Sequence, residues 1–278
     1  MTAMRTADQS YRDALLEARA ADGGWGVRSG LPSEPEPTAL AAIALDDAKA
    51  RAWLEAHQRD DGRLVMELGA VENDSATPLA AIAMNGAARE RALDATVTTR
   101  AASFPSSGAI PYDAQYHGWP WTLDTFGWTE PTARSVLALR LLRPDATGPI
   151  GDGFGVLRDR ECVGGGWNYG NRVVLGVDLP PYTQTTAIAL LALQHSGDPS
   201  ADRGLDRLRA LWREERAGGL SLALATVAFR VFDDPGAGGV ARELRNAYAR
   251  SGFMGDVVSL CWAAIASGDG LERLRIAA

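Results

Sequence analysis

The sequence predicts an all-α protein whose helices form a two-layered α/α toroid of about six helix-hairpin repeats. A block recurs along the whole chain: a charged helix, a Gly-rich turn that often holds Trp, and a helix built largely from Ala and Leu. Such repetition is typical of folds in which each unit buries its apolar face against its neighbours. The copies of the Ala-rich helix are 38–45, 77–84, 132–139 and 186–193, followed by two weaker copies at 222–229 and 259–266.

The repeat contains two kinds of helix, which predicts the two layers. In the charged helices an apolar stripe such as Leu208 and Leu211 faces away from Arg203 and Arg207, the pattern of an outer helix. The Ala-rich segments are apolar almost all round, which indicates buried inner helices. The last of them, around 257–262, is too apolar for an exposed end cap. We therefore expect the inner helices to close into a ring around an apolar central cavity.

The composition of the chain limits the classes of protein to which it can belong. The repeats run from end to end, so we expect one domain over residues 1–278. No stretch approaches the roughly 20 apolar residues of a membrane span. The first residues lack an export signal, and Cys162 and Cys261 show no CxxC spacing, so we expect a cytoplasmic protein. The net charge of −7 comes without a basic stripe, which argues against nucleic acid as a partner.

Three segments carry a motif that resembles the QW repeat of triterpene cyclases. Segment 49–64 has the motif's Gln at Gln58 and ends on Leu64 where the motif has Trp. Segment 156–167 has Glu in the Gln position and ends on Trp, and segment 15–25 keeps the Gly and the Trp without the Gln. The chain is thus similar to the squalene-hopene cyclase and protein prenyltransferase superfamily. This resemblance implies an α/α toroid that holds an isoprenoid or other apolar ligand in its central cavity.

Cyclases of this type begin the reaction with an acidic run, Asp-x-Asp-Asp-Thr-Ala, and the similar run here is 71–76. Only Asp74 of the three acids remains, and Asn73 stands in the place of the proton donor. The zinc-binding Asp-x-Cys of the prenyltransferases is missing, and the three His residues show no ligand spacing. The Asp pairs lack the third carboxylate of a magnesium motif. We therefore expect no metal and no other cofactor.

The loop 111–131, before the third inner helix, holds three of the eight Trp residues and three carboxylates. Long aromatic loops in compact domains are usually functional. Trp119, Trp121, Phe126 and Trp128 are the predicted ligand wall, because aromatic faces stabilise cations. Asp124 or Glu130 is the candidate acid, with a pKa raised by apolar surroundings.

The second insertion, 164–183, adds Tyr169, Asp178 and Tyr182 as candidate ligand contacts near the fourth inner helix. Each candidate has a structural alternative. Trp residues beside Gly turns brace helix pairs, and carboxylates such as Asp74 and Glu130 at helix starts serve as caps or first-turn anions.

Three functional hypotheses follow. The first is a cyclase-like enzyme of the isomerase or lyase class that acts on an isoprenoid by proton transfer. The second is a toroid that has lost its acid motif and binds a small ligand or a protein partner. The third, a carbohydrate enzyme, requires two acids facing one cleft, roughly 5 to 10 Å apart.

Overall fold

The computed structural model describes residues 7–68 and 71–277, which form twelve α-helices and two small hairpins. The inner helices are α2 (Pro35–Leu45), α4 (Thr77–Ala83), α6 (Thr129–Leu142), α8 (Thr183–Leu193), α10 (Gly219–Val231) and α12 (Val257–Ser267). The outer helices are α1 (Ala7–Glu17), α3 (Ala48–His57), α5 (Gly86–Thr98), α7 (Thr147–Asp159), α9 (Pro199–Glu214) and α11 (Ala237–Ser251). Two short 3-10 helices, Gly252–Gly255 and Asp269–Leu274, flank α12.

The six inner helices form a closed ring. Each packs against the inner helix before it and the one after it, and α12 packs against α2. The outer helices α3, α5, α7, α9 and α11 each pack on the inner helix that precedes them in the chain, whereas α1 packs on α12. The first helix thus supplies the outer layer of the last repeat. This arrangement confirms the predicted all-α toroid.

Burial separates the two layers as their sequences predict. Residues 39–44 of α2 are at most 3% exposed, and the other inner helices are buried to a similar degree. Six consecutive residues point in every direction around a helix, so α2 borders no open space below its first turn. The ring is therefore filled by its own side chains. The predicted apolar cavity along the ring axis is wrong, because small Ala side chains let the inner helices approach closely.

A recurring hydrogen bond joins each of the first four inner helices to the turn before it. A Thr hydroxyl of the inner helix accepts the backbone N–H of the turn residue, and its Oγ1 lies 2.9 to 3.0 Å from that nitrogen. The same hydroxyl donates to the carbonyl of the turn residue. This contact explains why these helices carry Thr. The pairs are Thr38 with Trp25, Thr77 with Leu64, Thr132 with Trp119 and Thr186 with Trp167.

Polar contacts also join successive outer helices. Gln58, at the end of α3, donates to the carbonyl of Ala88 and accepts from Arg91, both on α5. Glu161 makes the equivalent link by pairing with Arg203 of α9 through two hydrogen bonds of 2.6 and 2.7 Å. Gly62 has a φ of +87°, and a Cβ there would lie 2.2 Å from the Arg91 carbonyl oxygen. Only glycine fits this approach.

Two antiparallel hairpins stand before inner helices. Strands β1 (Met66–Leu68) and β2 (Val71–Asn73) precede α4, and strands β3 (Val173–Val174) and β4 (Val177–Asp178) precede α8. An isolated bridge between Asn73 and Thr122 ties the first hairpin to the loop before α6.

All six inner helices begin at one end of the ring, which we call the mouth. Contacts among these starts and the segments before them lie at this end: the Thr129 N–H donates to the Tyr169 carbonyl before α8, the Val257 N–H donates to the Val27 carbonyl before α2, and the Thr183 N–H donates to the Glu215 carboxylate before α10. At the opposite end, Arg140 of α6 donates to the Ala192 carbonyl at the end of α8. The positive ends of six helix dipoles therefore converge on the mouth.

We predict that Thr186→Val lowers the free energy of unfolding by about 1 to 3 kcal/mol, because it leaves the buried N–H of Trp167 without an acceptor. Urea unfolding followed by circular dichroism measures the change. Thr98→Val is the control, since this exposed hydroxyl bonds only to carbonyls of its own helix. We expect the control to change stability by less than about 0.5 kcal/mol. Equal losses in both variants would contradict the role given to the recurring bond.

Candidate functional site

A group of charged side chains lies inside the ring near the mouth. Glu130 and Arg134 stand one turn apart on α6, and Glu36 comes from the first turn of α2. Nη2 of Arg134 lies 2.5 Å from Oε1 of Glu130 and 2.6 Å from Oε1 of Glu36. Gln184 of α8 reaches Oε2 of Glu130 at 3.5 Å. Three inner helices thus meet in one polar group, which we call the mouth cluster.

The mouth cluster holds two carboxylates for one guanidinium. Glu130 and Arg134 are buried, whereas the side chain of Glu36 is 28% exposed. Burial raises the pKa of Glu130, and the charge of Glu36 raises it further, against the opposing effect of Arg134. Burial acts to lower the pKa of Arg134, but the two carboxylates raise it above the ordinary value. Arg134 therefore stays charged, and Glu130 holds a proton more tightly than an exposed glutamate does.

Arg134 has donor capacity to spare. Its Nε and Nη1 are buried and have no hydrogen-bond partner among the residues that the structure describes. The indole ring of Trp121 lies over the guanidinium, with its centroid 5.6 Å from Cζ. Buried donors are usually satisfied, so these two nitrogens mark a place for a polar atom from outside the chain.

Aromatic side chains from the two insertions come together beside the mouth cluster. The rings of Phe126 and Trp128 are 4.4 Å apart, and those of Tyr169 and Tyr182 are 5.3 Å apart. Gly170 packs against the Trp128 ring, where a Cβ would lie 3.1 Å from it. With Trp121 these four residues form what we call the aromatic wall. Tyr169 is 48% exposed and Tyr182 39%, so the wall faces solvent.

Trp119, predicted to face a ligand, instead braces two repeats. Its indole donates to the Thr96 carbonyl at the end of α5, as the indoles of Trp25 and Trp167 donate to the carbonyls of Leu15 and Leu157. It is buried, and its ring lies where a Cβ on Gly153 would be 3.0 Å away. The shared geometry explains this Trp by packing alone.

The structure places the two candidate aspartates of the insertions, Asp124 and Asp178, at the surface. Asp124 is exposed and has a φ of +62°, a conformation that non-glycine residues rarely adopt. Asp178 is exposed on β4. Neither aspartate is part of the mouth cluster.

Asp74 lies at the start of α4 and is buried. Burial raises its pKa, and the nearest cation, Arg63, is 4.0 Å from its carboxylate. Asp74 lines a cavity between α4, α5 and α6 that also includes Thr96 and Ser135. The cavity volume of about 10 Å³ is enough for roughly one water molecule. Asp74 therefore faces a space too small for an isoprenoid.

Glu36, Arg134 and Gln184 are the functional candidates that sequence reasoning missed. One feature of the sequence does point to Arg134, because it is a charged residue within a largely apolar inner segment. Its pairing with Glu36, 98 residues away, has no local signature. In residues 7–68 and 71–277 no group of three His, Cys, Asp or Glu side chains is arranged to hold a metal ion. No helix in this part of the chain has the length and apolarity of a membrane span.

The sequence matches no protein-family model and no curated protein. Solved structures do resemble it. The type II terpene cyclase MstE from Scytonema, in complex with geranylgeranyl dihydroxybenzoate, has a TM-score of 0.58 at 13% identity, covering 98% of this chain and 97% of its own. A protein from Actinoplanes has a TM-score of 0.59 at 14% identity, with 96% and 98% covered.

An ent-copalyl diphosphate synthase from Streptomyces platensis has a TM-score of 0.52 at 20% identity, over 75% of this chain. The matched part is 41% of the synthase, so this chain corresponds to less than half of that enzyme. These likenesses establish a terpene cyclase-like fold. At such low identities they carry no residue roles.

We predict that Glu130→Gln removes a pH dependence of stability. The pKa of Glu130 is higher in the folded protein than in the unfolded chain, so protonation of Glu130 stabilises the fold. This contribution to the free energy of unfolding is fully present below the ordinary glutamate pKa of 4.5, and it is lost as the pH rises through the folded-state pKa. The stability of the wild type relative to Glu130→Gln should therefore fall as the pH rises from about 4. Urea unfolding at a series of pH values measures this difference.

Glu55→Gln serves as the control, since Glu55 is an exposed glutamate on α3. A difference curve for Glu130→Gln as flat as that for Glu55→Gln would show that Glu130 titrates like a surface carboxyl.

Proposed function

We propose that this protein is a terpenoid cyclase-like enzyme that binds an isoprenoid or similar apolar substrate at the mouth and acts on it by proton transfer from Glu130. One observation carries the proposal: a buried carboxyl with a raised pKa lies beside a guanidinium with two unused donors, next to a solvent-facing aromatic wall. A buried acid beside aromatic faces is suited to chemistry through a carbocation. Because the ring is filled, the substrate lies over the mouth and not along the axis.

The proposed step balances as follows. The O–H bond of Glu130 breaks, and its proton forms a new C–H bond with one carbon of a substrate alkene, which leaves a cation on the other carbon. Arg134 stabilises the carboxylate that remains. Each aromatic face stabilises a cation by about 0.5 to 2 kcal/mol, so several residues of the wall act together. Loss of a proton from the product cation to water completes a cyclisation or isomerisation, and a proton taken up from water restores the acid form of Glu130 for the next turnover.

Support for the substrate class comes from the fold and from the repeats. The Scytonema structure contains a geranylgeranyl compound, and the segments ending at Leu64 and Trp167 resemble QW repeats. Of the three candidate acids, Glu130 is favoured, since Asp124 is exposed and Asp74 faces a space of about one water molecule. Proton transfer of this kind requires no metal and no organic cofactor.

A second candidate function is a non-catalytic protein that holds a ligand or a protein partner. Two observations favour it: the filled ring, and Asn73 in the position of the proton donor in the resembling motif. An amide side chain does not protonate an alkene. In this alternative the mouth cluster stabilises the ring, and the aromatic wall provides the contact surface.

We predict that the purified protein converts geranylgeranyl diphosphate or geranylgeranyl dihydroxybenzoate into a product of equal mass and different retention time in liquid chromatography with mass spectrometry. Glu130→Gln should reduce the rate by at least about 100-fold, the usual contribution of a general acid. Glu55→Gln should keep the wild-type rate. A loss in Asp74→Asn or Asp124→Asn with none in Glu130→Gln would move the acid to another residue.

Native mass spectrometry of freshly purified protein separates the two candidates. A retained mass of lipid size without turnover supports the binding protein. Absence of both a retained ligand and a product contradicts every small-molecule function proposed above.

A further inference from the structure

A second cavity opens at the mouth where α10 and α12 begin. Its volume of about 610 Å³ lies within the range of small-molecule sites. The charged side chains on its wall are Arg28, Arg216, Arg250 and Asp256, and serine hydroxyls also line it. The mouth cluster is built on α2, α6 and α8, so the two sites occupy different parts of the mouth. We call this second site the arginine cavity.

The arginine cavity carries an excess of positive charge in a protein whose net charge is −7. Within residues 7–68 and 71–277, the guanidinium groups of Arg28 and Arg216 have no ion pair and no hydrogen-bond acceptor. Arg250 pairs with Glu243 at 3.2 Å on the surface. The one carboxylate in the wall, Asp256, accepts the Ser259 N–H and caps α12. Three cations therefore face one carboxylate that is already engaged.

The start of α10 adds backbone donors to the same wall. Gly218 is its N-cap and offers no side chain, and the described residues supply no other side-chain cap. Residues 218–221 line the cavity, so the first N–H groups of this 13-residue helix lie at its wall. Uncapped N–H groups at the positive end of a helix dipole bind phosphate oxygens well. The arginines point to the same class of ligand independently, because guanidinium groups bind phosphate through paired donors.

Apolar side chains complete the cavity. Leu220, Phe253 and Met254 line it, and Met254 is 76% exposed. Phe253 packs so closely on Gly219 that a Cβ there would lie 2.5 Å from its ring. A ligand with an anionic head and an apolar body would satisfy both halves of this wall.

We propose that the arginine cavity binds the phosphate or diphosphate group of an organic ligand, with Arg28 and Arg216 as its main cationic contacts. The inference rests on the proposed function only for the nature of the apolar body, which would then be the isoprenoid chain that reaches the mouth cluster. The head-group chemistry stands on the cavity alone. A prenyl diphosphate and the head group of an anionic phospholipid are the two sources of such a group.

Isothermal titration calorimetry of the full chain with inorganic pyrophosphate tests the proposal, in a phosphate-free buffer of low ionic strength. We expect saturable binding that the double variant Arg28→Gln/Arg216→Gln weakens by at least about tenfold, since it removes two guanidinium groups that would bind the phosphate oxygens through charge-assisted hydrogen bonds. Arg242→Gln is the matched control, because Arg242 is an exposed arginine on α11 outside the cavity wall. Circular dichroism melting verifies that all variants fold.

Two further titrations identify the source of the group. Tighter binding of geranylgeranyl diphosphate than of pyrophosphate, lost in the double variant, supports the prenyl source. Binding to phosphatidylcholine vesicles only when they contain phosphatidic acid, again lost in the double variant, supports the lipid source. No pyrophosphate binding by the folded wild type, or equal binding by wild type and double variant, overturns the proposal. Because pyrophosphate has no isoprenoid chain, its binding is independent of turnover, so failure of the cyclase proposal leaves this result interpretable.

Discussion

Closure of the inner ring between α12 and α2 is the constraint on which the rest of the structure depends. The inner helices are apolar around their whole circumference, so an open ring would expose one side of its first and last members to water. The chain avoids this by packing α12 on α2 and by covering α12 with α1, its first helix. Closure also brings all six inner-helix starts to one mouth, and that mouth holds both candidate sites.

The mouth cluster is a consequence of the same closure. Glu36 and Arg134 come from the first and third inner helices, and only the curvature of the ring brings them within 2.6 Å of each other. The burial of Glu130 and Arg134 raises the electrostatic cost of an unpaired charge, so two carboxylates with one guanidinium favour retention of a proton on Glu130. The arginine cavity lies where α10 and α12 begin and has the opposite balance, with cations in excess. The mouth therefore combines an acid, an aromatic wall and a cationic region.

Much of the fold could be predicted from the sequence because the same local features recur in each repeat and have the same physical cause. The Thr residues that begin the inner helices and the Gly turns with Trp are local features, and the structure explains them through the bonds of Thr38 and Thr186 to Trp25 and Trp167. The spacing of 13 residues between Trp25 and Thr38 recurs between Trp119 and Thr132, so the bracing role of Trp119 could have been recognised despite the long insertion. The filling of the ring by side chains could not be predicted from the sequence, because it depends on how closely the Ala faces pack. The ion pair of Glu36 with Arg134 could not be predicted either, because it joins segments that are far apart in the chain.

Photoaffinity labelling tests most directly the claim that the ligand lies at the mouth. The probe is geranylgeranyl diphosphate with a diazirine on its terminal isoprene unit, and the labelled peptides are mapped by mass spectrometry. The account predicts labels on Trp121, Trp128 or Tyr182, which an excess of unlabelled geranylgeranyl diphosphate suppresses. Labels confined to the outer helices, or labels that the competitor does not suppress, would contradict it.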